Sequence, residues 1–202
     1  TKGYIHTPRW AIGPIEDLLD DQIERHDILQ MCIGGIRASV AAREYRIKYP
    51  DPKAAARTAV EIGRIEGVDR LARREIDDDF PALRSNFVTS LWSSLEAAVR
   101  LFVARWLEKA PGALEVDAIY KLKITLGDYN SLEGEDRFFY ILELLEQSVS
   151  PKLKRGIGRF EEILRPFGLS GPVDDTTRRD LLELSQMRHV LMHRGGRADR
   201  RL

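Results

Sequence analysis

Residues 81–109 read PALRSNFVTSLWSSLEAAVRLFVARWLEK. Phe87, Leu91, Leu95, Ala98, Phe102 and Trp106 step along this stretch three or four positions apart, which gathers them on one side of an α-helix. No other segment is as apolar, so this one is expected to be the central core helix. Pro81 suits the first helical turn, where no N–H is needed. The Asp77-Asp78-Asp79 run just before it could hold a magnesium ion, but a helix cap with solvated acids explains it more simply. Glu96 lies between Leu95 and Ala97. Such a carboxylate either orients an arginine across the core, Arg188 being the candidate, or faces solvent.

Toward the N-terminus, residues 1–13 read as an irregular lead-in, and Pro14 is expected to open a long helix. Ile15, Leu18, Leu19 and Ile23 start a helical period that runs to Tyr45; Gly34-Gly35 interrupts it, as at a bend or a close helix crossing. Tyr49-Pro50-Asp51-Pro52 ends the segment. A second helix is expected from about Lys53 to Ile76, with Arg70, Arg73 and Arg74 near its negative end. Residues 1–79 thus read as an N-terminal extension, a hairpin of two long helices, and residues 80–202 as the main helical domain.

Toward the C-terminus, Pro111-Gly112 marks a turn, Glu115–Leu126 a short helix closed by Gly127, and Asp128–Gly134 a polar loop. Glu135–Val149 is a helix with Phe138, Phe139, Ile141, Leu142 and Leu145 as its buried side. Ser150-Pro151 reads as a cap and first residue of a helix to about Arg165. After the linker 166–172, Asp174 or Asp175 caps the last helix. No strand pattern, repeat or low-complexity segment emerges. The expected fold is all-α, a bundle of six to eight helices.

Composition narrows the classes. With 202 residues, 43% of them hydrophobic, the chain can bury one sizeable core. Thirty-two basic residues balance 32 acidic ones, so this is no polybasic wrapper of nucleic acid. The balance is uneven along the chain, however. Residues 151–202 carry 12 Lys+Arg and 7 Asp+Glu, a formal +5, and would attract a polyanion unless those faces are simply solvated. The single cysteine, Cys32, excludes an internal disulfide and suits a reducing compartment such as the cytoplasm. Set among Ile28, Met31, Ile33 and Ile36, it is expected to be a buried, inert thiol. No uninterrupted apolar run reaches membrane-spanning length, and no signal peptide is visible.

The chemistry-bearing stretch is Leu184-Ser185-Gln186-Met187-Arg188-His189-Val190-Leu191-Met192-His193-Arg194-Gly195-Gly196. On an ideal helix Leu181, Leu184, Met187 and Leu191 form the expected core stripe, while Leu182, Gln186, His189 and His193 point the other way. Arg188 falls at the edge of that stripe, its stem able to pack while its head reaches outward.

Arg188 followed by His193, with paired glycines after them, resembles the R-x4–6-H motif of the HEPN superfamily; the resemblance extends over about residues 84–200 and includes the helix holding Glu96. His189 stands where that family usually has an amide, a departure. The resemblance implies a small all-α domain acting as a dimeric, metal-independent endoribonuclease that needs no cofactor. Arg188 and His193 would be its catalytic residues, with His189 and Glu96 in support. It further implies RNA as partner, a homodimer, and service in toxin–antitoxin, defence or RNA-processing systems with an antitoxin or other protein partner.

The residues alone leave several readings open. RNA brings its own nucleophile, the 2′-hydroxyl, so a histidine for proton transfer and an arginine for the phosphate suffice in principle. His189 and His193, four apart, have the spacing of zinc ligands but lack the intervening Glu of H-E-x-x-H and a nearby third ligand. A non-catalytic interaction or nucleotide-binding module would use the same pair for phosphate or interface contacts. A purely structural role, an arginine and a histidine serving the helix dipole at its C-terminus, fits less well because both histidines face away from the core stripe. Gly156-Ile157-Gly158 follows no strand and lacks the Lys-Ser/Thr of a P-loop.

Overall fold

The computed structural model describes residues 8–49, 59–149 and 156–194, except for the side chains of residues 14, 59–62, 149, 193 and 194. The breaks expected at Pro50-Asp51-Pro52 and at Ser150-Pro151, the lead-in 1–7 and Gly195-Gly196 lie outside the described residues. The described chain is all-α, with eight helices and no strand. These are α1 (Arg9–Lys48), α2 (Ala59–Asp77), α3 (Pro81–Lys109), α4 (Asp117–Tyr120), α5 (Leu126–Ser131), α6 (Asp136–Val149), α7 (Gly158–Leu164) and α8 (Asp175–Arg194).

Several local expectations change. Pro14 does not open α1, which already starts at Arg9. Gly34 and Gly35 do not interrupt it, and a Cβ on either would meet nothing within 4 Å, so no close crossing among the described residues explains them. The polar stretch Asp128–Ser131 belongs to α5, and the residues before it divide into a 3₁₀ turn at Ala113–Glu115, the short α4 and extended backbone.

The residues group into two compact units, Thr1–Asp21 with Val88–Leu202, and Gln22–Phe87. A boundary at 79–80 thus falls inside the second unit. The first unit is built on the C-terminal half of α3. Val103 and Leu107 pack with Ala113, Ile119, Ile141, Leu142, Leu145 and Ile163 to form its core. The expected buried side of α6 forms part of it, Phe138 and Phe139 lying partly buried on its margin. The deepest residues of α3 are Trp92, Ala98, Val103, Ala104 and Leu107, a stripe turned from the one expected. Few α3 residues beyond Phe87 are exposed, because neighbours surround it. Among the described helices α3 alone has the length and mean hydropathy of a membrane span.

In the second unit α1 and α2 run antiparallel. Arg37 lies over the Phe80 ring at one end, and Arg43 reaches Asp69 (3.0 Å) and the Ile65 carbonyl (3.2 Å) farther along. Arg73 bridges Asp69 (3.0 Å) and Glu44 (2.8 Å), and its hydrogen bond holds the Asp69 carboxyl below its usual range. A turn with exposed aspartates and a buried Phe80 joins α2 to α3. Asp79 N–H donates to the Ile76 carbonyl and Phe80 N–H to the Glu75 carbonyl, the paired bonds of a Schellman ending. The expected aspartate cap is not formed. Instead the nearly buried Glu75 carboxylate accepts the Ala82 N–H at 3.2 Å, so the preceding helix caps α3.

Candidate functional site

The elements that position α8 begin with its cap. Asp174 accepts hydrogen bonds from the Thr177 N–H (2.9 Å) and hydroxyl (2.7 Å), which hold its carboxyl below the usual range. One turn on, Arg178 grips Glu161 of α7 with both guanidinium nitrogens, and this raises the Arg178 pKa. Another turn on, at Leu182, the backbones meet. Gly156 takes φ 62°, and a Cβ there would sit 3.2 Å from the Leu182 Cα, so only glycine fits without displacing α8.

With α8 fixed this way, its burial pattern differs from the expected stripe. Leu181, Leu184, Ser185, Arg188 and Leu191 are all partly covered, a set spaced i, i+3, i+4, i+7, i+10. Met187, assigned to the core from sequence, is 52% exposed. Arg188 therefore lies within the inward stripe and not at its edge. Its Nε is buried and has no hydrogen-bond partner among the described residues.

Glu96 does not supply that partner. Among the described residues its carboxylate accepts Arg159 Nη1 at 2.9 Å, while Arg159 also approaches Glu146 (4.0 Å) and Arg100 pairs with Glu146 (3.1 Å). Glu96 thus orients an arginine across the unit, as one reading held, but the arginine is Arg159 on α7. Sequence reasoning passed over Arg159 because it lies outside the motif. Its signal was an isolated arginine beside Phe160, a residue buried against Trp92 with ring centroids 5.6 Å apart.

His189 is exposed, about 80° round α8 from Leu181 on an ideal helix. His193 lies in the last turn of α8, five residues beyond Arg188, and its side chain falls outside the described residues. Among the described residues no three His, Cys, Asp or Glu side chains gather as a metal-ligand set. Cys32 is exposed, against the expectation of a buried thiol; it points about 100° round α1 from the buried Ile33.

What the arrangement offers is a guanidinium that no carboxylate neutralises among the described residues, carried by the helix that also carries two histidines. A paired arginine such as Arg159 or Arg178 has spent its fork on a carboxylate. Arg188 has no such carboxylate among the described residues, and its buried Nε has no acceptor there. The chain matches no protein-family model, no curated protein and no solved structure.

Proposed function

We propose that this protein is a metal-independent endoribonuclease, with Arg188 and His193 as its catalytic residues. One observation carries the reading: Arg105, Arg159 and Arg188 each have a buried Nε without an acceptor, but Arg105 pairs with Glu135 and Arg159 with Glu96, whereas Arg188, drawn into the covered stripe of α8, has no carboxylate partner among the described residues. Leaving a buried donor unsatisfied costs about 1–3 kcal/mol. A position that serves only the fold is cheaper with leucine. A phosphate oxygen supplied by a substrate satisfies the donor and neutralises the charge together.

In this mechanism His193 accepts the proton of the ribose 2′-hydroxyl as that oxygen attacks the adjacent phosphorus. Arg188 holds the non-bridging oxygens through the crowded phosphorane. The 5′-oxygen leaves with a proton, giving a 2′,3′-cyclic phosphate and a 5′-hydroxyl end. One histidine cannot be base and acid in the same step, and a second copy of the chain is the simplest source of another. His189 would touch the substrate from the solvent side. Glu96 acts only through Arg159 and the packing of α7. An antitoxin or similar partner protein would bind over this end of α8.

The test is incubation of labelled single-stranded RNA, and of DNA of the same sequence, with the purified protein in excess EDTA. Cleavage of RNA alone, with cyclic-phosphate ends, supports the reading. Cleavage of DNA at a comparable rate removes the 2′-hydroxyl mechanism. Intact RNA with a folded protein moves the site to the interaction-module reading.

A further inference from the structure

The glycines at 34 and 35 are unexplained by the fold. Glycine inside a helix costs roughly 1 kcal/mol relative to alanine, and here a Cβ on either glycine meets nothing within 4 Å among the described residues. Gly35 lies on a stripe of α1 made by Glu24, Ile28, Met31, Gly35, Ser39, Ala42 and Arg46, every one of them exposed. Ile28 is 56% and Met31 70% exposed. On an ideal helix all seven fall within an arc of about 80°.

The stripe has a symmetry. Read outward from Gly35, the spacings are four, three and four in both directions, so two antiparallel copies crossing at Gly35 oppose their stripes position for position. Met31 then faces Ser39, Ile28 faces Ala42 and Glu24 faces Arg46. Each bulky apolar side chain meets a small residue, each carboxylate meets a guanidinium, and glycine meets glycine at the crossing. Three- and four-residue steps are those of helix pairs that pack knobs into holes. A Cβ-free crossing lets backbones approach to about 8 Å. The repeated pairing also makes the interface isologous, as a twofold dimer requires.

We infer that this face of α1 is the contact between two copies of the chain, paired antiparallel across Gly35 with Glu24 of each copy on Arg46 of the other. This inference does not rest on the ribonuclease reading. It concerns only the Gln22–Phe87 unit and would hold for a protein with no catalytic activity.

The experiment uses the full chain. Sedimentation equilibrium gives the dimer constant for the parent, Gly35→Leu, Glu24→Arg, Arg46→Glu and the last two combined. Gly35→Leu raises helix propensity, so its expected loss of dimer cannot come from a weakened helix. Each single charge reversal weakens the dimer on the order of tenfold, and the combined swap restores it. Register is read separately by mixing Cys32→Ser/Met31→Cys with Cys32→Ser/Ser39→Cys under mild oxidation. The pairing predicts a disulfide between the two variants in the mixture and little in either alone. A parent that stays monomeric at high micromolar concentration overturns the inference. So does a dimer indifferent to Gly35→Leu and to the charge swap, since its contact must then lie elsewhere.

Discussion

Arg159 donates to Glu96 at 2.9 Å across 63 residues of sequence, tying α7 to α3 beside the Trp92–Phe160 ring pair. The bond is the centre of a small network, because Glu146 of α6, its side chain only 12% exposed, lies between Arg159 and Arg100. Three helices of one unit are thereby held by charge at a point where their apolar cores also meet.

Removing one partner should cost more than removing both. Arg159→Met leaves Glu96 and Glu146 short of a cation, and urea unfolding should report a loss of about 1–3 kcal/mol. Replacing the pair, Arg159→Met with Glu96→Leu, should recover part of that loss, since partly buried ion pairs are often matched by apolar packing. A double variant less stable than Arg159→Met alone would show that the ion pair contributes more than apolar packing in its place.

The Asp174 cap predicts a pH-dependent effect. The folded carboxyl titrates below its unfolded value near 4. Its contribution is therefore fully present above pH 4 and is lost as pH falls through the lower, folded value. Asp174→Ala should lower Tm by roughly 2–4 °C at pH 7, and the difference from the parent should shrink in acid. A difference constant from pH 7 down to pH 2 would contradict a charged cap.

The turn between α2 and α3 holds two non-glycine residues in the left-handed region, Asp79 at φ 60° and Phe80 at φ 61°. Each costs about 1 kcal/mol or more. Phe80 repays this, because its side chain is fully buried and Phe80→Ala should cost about 3–5 kcal/mol. Asp79 is exposed and, among the described residues, has a surface pair with Arg84 at 2.8 Å to offset its own cost. Asp79→Gly, placing glycine at the C′ position of a Schellman ending, should raise stability by about 0.5–1 kcal/mol in thermal unfolding.

The sequence was most legible where apolar periodicity ran long. The limits of α3 and the buried side of α6 follow from it directly, and Asp174 shows as a cap because acid, Thr and a helical period stand in the expected order. Orientation was harder. Counting apolar residues placed Met187 in the core of α8, but Arg188 fits the i, i+3, i+4, i+7 series equally well when its aliphatic stem packs and its head stays polar. Cys32 failed for the related reason that apolar neighbours in sequence sit on different faces of a helix. The partner of Glu96 was beyond sequence reasoning, since nothing local links residue 96 to residue 159. At the turn, glycine-free left-handed backbone left no signature of its own.

Arg188 decides the central claim. If the inward guanidinium serves an incoming phosphate, Arg188→Leu should abolish RNA cleavage in EDTA, by 100-fold or more, while leaving Tm unchanged or raised, because an unsatisfied buried donor is exchanged for an apolar side chain. Cleavage and Tm should be measured together on the parent, Arg188→Leu and His193→Ala. Loss of cleavage in both variants with the fold intact is the predicted result. A parent that folds and leaves RNA whole, or variants that cut as well as the parent, would contradict it.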